Sequence, residues 1–141
     1  MENNFEKQIA PEKQERKSKI CVAIIDDNKD IRESTSAYIE EFFRANVFSF
    51  SKYSNEARDH ILQTQPNLVI MDLNLGYDSW SGVVAAQDLK KAGYQGKIFF
   101  TTKMDKSIVK KMHGDDSFNW TQELIPKLKN LFGEDIVKKN E

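Results

Sequence analysis

The chain has 141 residues, of which 39% are hydrophobic, and a formal net charge of -1 at pH 7. These values predict one globular domain with a core of its own, and the near-neutral charge, with Lys and Glu interspersed, argues against nucleic-acid binding. The single cysteine, Cys21, excludes an intramolecular disulfide and a cysteine-based zinc site. Because no apolar run is long enough for a membrane span or a signal peptide, we expect a cytoplasmic protein.

The two ends of the chain differ in composition from its middle. Residues 1–18 are polar, with mixed charges and few apolar side chains, and this composition favours a flexible N-terminal extension. The alternating apolar segments begin near Lys19, and we assign the folded domain to residues 19–133. Residues 134–141 are predicted to be a polar C-terminal tail.

The folded part begins with a strand and a helix, and this unit then repeats. The apolar run ICVAIID at 20–26 is typical of a strand that is covered on both faces. Apolar residues at helical spacing follow it, with Asn28 placed to cap the helix. Three further units have predicted strands at 46–51, 66–73 and 96–102. Their predicted helices are one that Ser54 can cap, one over 81–92 and one that begins at about Asp105.

A fifth unit completes the predicted domain. DSFNW at 116–120 is its strand, and the helix that follows contains Leu128 and Phe132, with Pro126 expected in the first turn because proline lacks a backbone N–H. Regular alternation of strands and helices implies right-handed crossovers and a parallel sheet. The sequence therefore predicts an α/β domain of three layers, with a doubly wound, five-stranded parallel sheet.

Acidic and hydroxyl side chains stand where three of these strands end. Asp26 and Asp27 follow the first strand, Asp72 ends the third, and Thr101 and Thr102 end the fourth. Ligands of doubly wound sheets bind at the carboxyl ends of the strands, so these residues are expected at one edge. Three carboxylates favour Mg2+, which keeps waters and completes its shell with phosphate oxygens, and a carboxylate nucleophile can form an acyl phosphate. The alternative is that the acids only cap helices.

The motifs resemble the receiver domain of two-component response regulators over about residues 19–132. This resemblance implies a flavodoxin-like strand order, 2-1-3-4-5. IIDDN resembles the acidic pair of that family, so Asp27 is expected to bind Mg2+ directly and Asp26 largely through water. VIMDLNL resembles the phosphoacceptor strand, which makes Asp72 the phosphorylated residue and a metal ligand, and gives Asn74 the role of binding the metal through its backbone carbonyl.

The resemblance also assigns residues on the fourth and fifth strands. KIFFTT resembles the strand whose terminal hydroxyl contacts the phosphoryl group, which implies Thr102 for this role and Thr101 as the weaker candidate. Phe118 stands where the family has its switch aromatic, although a plain core role is as consistent with the sequence.

One departure from the family concerns the lysine that usually ends the fifth strand and pairs with the phosphoryl group. HGDDSFNWTQE at 113–123 contains no lysine, and Thr121 falls near the expected position. Lys103, directly after Thr102, is a candidate substitute, and a solvated lysine is the simpler interpretation. A second departure is the loop after Asp72, LNLGYDSWSG, which is longer than usual and lacks proline.

Three functions are consistent with these features. The first is a stand-alone receiver that accepts a phosphoryl group from a sensor histidine kinase or a histidine phosphotransfer protein and signals by protein contact, without enzymatic turnover. The second is a degenerate receiver that acts as a phosphorylation-independent adaptor or scaffold, as the missing lysine indicates. The third, a phosphatase with an aspartyl phosphate intermediate, ranks last because Asn74 replaces the second acid of an Asp-x-Asp motif.

Overall fold

The computed structural model describes residues 19–75, 81–101, 116–118 and 120–138, and of 116–118 and 120–123 it describes the backbone alone. Five parallel strands form one sheet in the order β2-β1-β3-β4-β5, which confirms the predicted fold and strand order. The strands are β1 (Ile20–Ile25), β2 (Ala45–Phe50), β3 (Leu68–Asp72), β4 (Lys97–Thr101) and β5 (Asp116–Phe118).

Four helices lie in the described part of the chain. They are α1 (Lys29–Phe42), α2 (Asn55–Thr64), α3 (Ser81–Ala92) and α4 (Trp120–Phe132). The predicted caps are present, because the Asn28 side chain accepts a hydrogen bond from the backbone N–H of Ile31 at 3.0 Å and the Ser54 hydroxyl accepts one from Ala57 at 3.2 Å. The helix predicted from about Asp105 lies outside the described residues.

The sheet buries apolar side chains on both faces. Successive residues of a strand point to opposite faces, so β1 sends Val22 and Ile24 to one face and Ala23 and Ile25 to the other. The first face packs against α1 and α4, and the second packs against α2 and α3. This double coverage explains why β1 and β3 are continuous apolar runs, and it leaves the strand ends as the places where polar groups converge.

The last helix begins earlier than predicted. The strand predicted at 116–120 ends at Phe118, and α4 begins at Trp120, so Pro126 lies inside the helix and not in its first turn. Leu124 and Leu128, four residues apart, are fully buried on the face of the sheet that packs against α1 and α4, called the α1 face below. Pro126 is exposed. Burying two leucines contributes about 3–6 kcal/mol, which offsets the roughly 3 kcal/mol that an internal proline costs.

Residues 134–138 lie against the end of α1. Glu134–Ile136 form a single 3-10 turn, Ile136 is 2% exposed, and Val137 pairs with Phe43 in an antiparallel bridge. The backbone N–H of Arg44 donates to the carbonyl of Ile136 at 2.6 Å, and its Nη2 donates to the carbonyls of Asp135 and Val137. Ile136, which the sequence assigns to the tail, is thus buried, and the domain boundaries remain a prediction.

Candidate functional site

Asp26 and Asp27 follow the last residue of β1, in the turn that leads into α1. Asp26 is 5% exposed and Asp27 is exposed. The backbone N–H of Asn28 donates to Oδ1 of Asp26 at 2.9 Å, and Nη1 of Arg32 donates to the backbone carbonyl of Asp26 at 2.9 Å. The carboxylate of Asp26 is therefore held in one orientation by the start of the helix that it precedes.

Asp72 is the last residue of β3, the strand next to β1 on the side away from β2. Its side chain is half-buried, and its Oδ1 accepts a hydrogen bond from the backbone N–H of Asn74 at 3.1 Å. Ile25 and Met71 are partners in the register of the two strands, so Asp26 and Asp72 follow at the same level. Both acids also lie two residues beyond side chains of the α1 face, Ile24 and Ile70, which places them on that face.

The three acids form a cluster, as the sequence predicts. Asp26, Asp27 and Asp72 each offer a carboxylate oxygen, and these oxygens lie within 4.8 Å of one another. At that separation two negative charges repel by roughly 3 kcal/mol if the effective dielectric constant is about 20. Hydrogen bonds from two backbone N–H groups do not balance three charges, so the cluster favours a bound cation.

The electrostatics of the cluster agree with this geometry. Burial, followed by the nearby charges of Asp26 and Asp27, raises the pKa of Asp72 to about 6, although the hydrogen bond from Asn74 acts in the opposite direction. Burial also raises the pKa of Asp26, against the opposing hydrogen bond from Asn28. Crowded, partly desolvated carboxylates hold protons more firmly, and a divalent cation at the same place would relieve the same repulsion.

The donor set fits Mg2+. Mg2+ prefers oxygen ligands and commonly binds through one or two protein carboxylates, waters and phosphate oxygens, and the cluster supplies carboxylate oxygens alone. Asp27 is exposed and Asp72 is half-buried, so the cluster is open to solvent on one side. The role of the Asn74 carbonyl as a metal ligand remains a prediction, because the hydrogen bond of this residue concerns its N–H alone.

The predicted residues of β4 and β5 are placed only in part. Thr101 ends β4, is the register partner of Asp72, and lies two residues beyond Phe99, a side chain of the α1 face. Thr102 and Lys103 lie outside the described residues. The backbone of Phe118 is the register partner of Thr101, but its side chain is not among those described. The roles of Thr102, Lys103 and Phe118 therefore remain predictions.

The structure adds two residues that were not predicted from the sequence. Gly82, in the first turn of α3, donates from its N–H to the carbonyl of Leu73 at 2.9 Å, and a Cβ at this position would lie 2.3 Å from the carbonyl oxygen of Asp72. Arg32 reaches back from the first turn of α1 to the end of β1. The sequence alone does not single out Arg32, because Lys29 is also a cation in the first turn of α1.

The chain matches a known protein family. The family model described as the response regulator receiver domain matches residues 22–116, which is more than half of the chain. The chain belongs to the response regulator receiver domain family. Receiver domains are signalling domains that are phosphorylated on an aspartate in two-component systems, and they bind Mg2+ at an acidic pocket. Asp26, Asp27 and Asp72 form an acidic cluster that could hold a metal ion in this receiver domain.

Solved receiver domains share the fold of this chain. A two-component response regulator of the LuxR family from Aurantimonas sp. SI85-9A1 is 18% identical, with a TM-score of 0.68 over 84% of this chain and 89% of that chain. The receiver domain of the Francisella response regulator 1452 is 20% identical, with a TM-score of 0.67 over 79% and 95%. The isolated receiver domain of RcsB from Salmonella enterica serovar Typhimurium, solved with a phosphomimetic, is 17% identical, with a TM-score of 0.64 over 88% and 95%.

No curated protein matches the chain. None of the helices in the described ranges combines the length and the apolar character that crossing a bilayer requires.

Proposed function

We propose that this receiver domain accepts a phosphoryl group on Asp72 while Asp26, Asp27 and Asp72 hold Mg2+, and that the phosphorylated domain acts by binding another protein. The observation that supports this proposal most is the convergence of three carboxylates from two neighbouring strand ends, with their oxygens within 4.8 Å. The cytoplasmic location expected from the sequence belongs to the same proposal.

The chemistry that we propose uses Asp72 as the nucleophile. A carboxylate oxygen of Asp72 forms a bond to phosphorus while the bond between phosphorus and a histidine nitrogen of the donor breaks, and that nitrogen takes up a proton. With a pKa of about 6, Asp72 is mostly ionised at neutral pH and available for this attack. Bound Mg2+ would neutralise charge on the transferring group. The N–H of Asn74 holds one oxygen of Asp72, which limits the orientations of the other.

The donor that we propose is a sensor histidine kinase or a histidine phosphotransfer protein. Receiver domains of two-component systems obtain their phosphoryl groups from such proteins. The exposed side of the cluster, at Asp27, is the side from which a donor histidine can approach without displacing the sheet.

We also propose Thr101 as the hydroxyl that contacts the phosphoryl group, in place of the predicted Thr102. Thr101 is at the level of Asp72 in the register of β3 and β4, and both residues belong to the α1 face. Thr101→Ala should slow phosphorylation of Asp72 more than Thr102→Ala, as measured by time-resolved intact mass with acetyl phosphate. A slower reaction for Thr102→Ala would support the assignment from the sequence.

A second function, that of an adaptor independent of phosphorylation, is favoured by one observation. The segment 113–123 contains no lysine to pair with the phosphoryl group. Loss of a charge-assisted hydrogen bond of this kind costs about 1.5–3 kcal/mol, which weakens phosphorylation without removing the nucleophile or the metal ligands. The retained acid cluster makes the adaptor the second candidate.

Intact mass spectrometry after incubation with acetyl phosphate distinguishes these functions. The wild-type protein should gain one phosphoryl group in the presence of Mg2+ and none after chelation, and Asp72→Asn should gain none. Asp59→Asn is the matched control, because Asp59 lies on α2 with a side chain that is 73% exposed, and it should react like the wild type. A wild type that takes no label at any Mg2+ concentration would make the adaptor the better description.

A further inference from the structure

Arg32 connects the first turn of α1 to the end of β1. Its Nη1 donates a hydrogen bond to the backbone carbonyl of Asp26 at 2.9 Å, and the side chain is half-buried. The N–H of Asn28 holds Oδ1 of the same aspartate at 2.9 Å. The main chain and the side chain of Asp26 are therefore each fixed by a separate donor from the start of α1.

Arg32 also brings a positive charge that acts on Asp26. Its charge lowers the pKa of Asp26, against the larger effect of burial. Lys29, one turn earlier, is different, because it is exposed and its Nζ lies 3.6 Å from the carboxylate of Glu33. Arg32 is thus directed towards the acids, and Lys29 is directed along the outer surface of the helix.

We infer that Arg32 is a positioning residue for the magnesium site, holding the Asp26–Asp27 turn in the geometry that binds the metal. This inference rests on the proposed Mg2+ site. Arg32 acts through Asp26 and is not assigned a contact with the metal or with the phosphoryl group. Residues that fix the orientation of metal ligands affect metal affinity strongly, since the free energy of binding includes the ordering of the ligands.

The sign of the effect distinguishes positioning from simple electrostatics. Removing a positive charge from the neighbourhood of a Mg2+ site should strengthen Mg2+ binding by a few-fold, because two cations repel. Removing a residue that positions a ligand weakens metal binding, typically by about 10- to 100-fold. If Arg32 is a positioning residue, Arg32→Gln should weaken Mg2+ binding although it removes a repelling charge.

Isothermal titration with MgCl2 at pH 7.5 tests this inference, on protein whose folded state is checked by urea unfolding. Arg32→Gln should bind Mg2+ about tenfold more weakly than the wild type, since the shorter amide does not reach the Asp26 carbonyl. Lys29→Gln is the matched control, because it removes the same charge one turn earlier, and its Mg2+ affinity should equal or slightly exceed that of the wild type.

Arg32→Lys is the conservative variant that should restore Mg2+ binding. It keeps the charge and a donor of nearly the same reach, so it should restore Mg2+ affinity to within about threefold of the wild type. Unchanged or tighter Mg2+ binding by Arg32→Gln would overturn the inference, and so would equal weakening by Lys29→Gln. A wild type that binds no Mg2+ would instead refute the proposed site itself, which separates the two failures.

Discussion

Replacing Asp72 by asparagine should stabilise the metal-free protein at neutral pH. The pKa of Asp72 is raised from 3.8 to about 6 in the folded chain, so the folded state holds the Asp72 proton more firmly than the unfolded state does. The contribution of this group to stability is therefore fully present below about pH 4 and is lost as the pH rises to about 6. Asparagine resembles the protonated acid and keeps that contribution at every pH.

The magnitude follows from the pKa difference. At about 1.4 kcal/mol for each pKa unit, the shift corresponds to roughly 3 kcal/mol, and the partial exposure of Asp72 reduces the expected gain to about 1–2 kcal/mol. For a domain of this size the gain is a rise in Tm of about 3–6 °C at pH 7.5. The difference from the wild type should nearly disappear at pH 4.

Urea unfolding in EDTA, at pH 7.5 and at pH 4, measures this difference for the wild type, Asp72→Asn and the exposed-site control Asp59→Asn. Adding Mg2+ at pH 7.5 should stabilise the wild type and leave Asp72→Asn nearly unchanged. The reasoning is refuted if Asp72→Asn is no more stable than the wild type at pH 7.5, or if its gain is the same at both pH values.

Three other predictions follow from the described contacts. Mg2+ should bind about fourfold more weakly at pH 5.5 than at pH 7.5 in a calorimetric titration, because protons compete at a carboxylate with a pKa of about 6. Gly82→Ala should lower the free energy of unfolding by about 2 kcal/mol in urea, because the new Cβ clashes with the Asp72 carbonyl, whereas helix propensity alone predicts a gain of about 1 kcal/mol. Arg44→Ala should cost about 2 kcal/mol in the same assay through the lost hydrogen bonds to Asp135 and Val137, and Lys129→Ala, an exposed site on α4, should cost almost nothing.

The sheet and the acid cluster were predictable because both depend on short-range patterns. Apolar runs that end in acids define β1 and β3, and alternation with helices makes the strands parallel, which brings their carboxyl ends to one edge. Asp26, Asp27 and Asp72 could therefore be placed together without any knowledge of packing.

The remaining features depend on contacts between distant parts of the chain. The low helix propensity of proline predicts Pro126 at the start of a helix. Because Leu124 and Leu128 are buried, however, α4 begins six residues before Pro126, at Trp120. Nothing local predicts that Gly82 must lie against Asp72, or that Ile136 is buried beside α1. These contacts exist only once the sheet has brought the elements together.

The acid cluster sets the stability of this domain against its proposed function. Three carboxylates at one edge raise the free energy of the metal-free folded state, and the backbone N–H groups that bond Asp26 and Asp72 do not neutralise their charges. A cation that binds there stabilises the folded state by mass action, so the stability of the domain reports the occupancy of its site. Removing Asp72 would free the domain from this dependence and, in the same step, remove the proposed nucleophile. Under the proposed function, the charge that destabilises the edge of the sheet is thus the same property that binds the metal and attacks phosphorus.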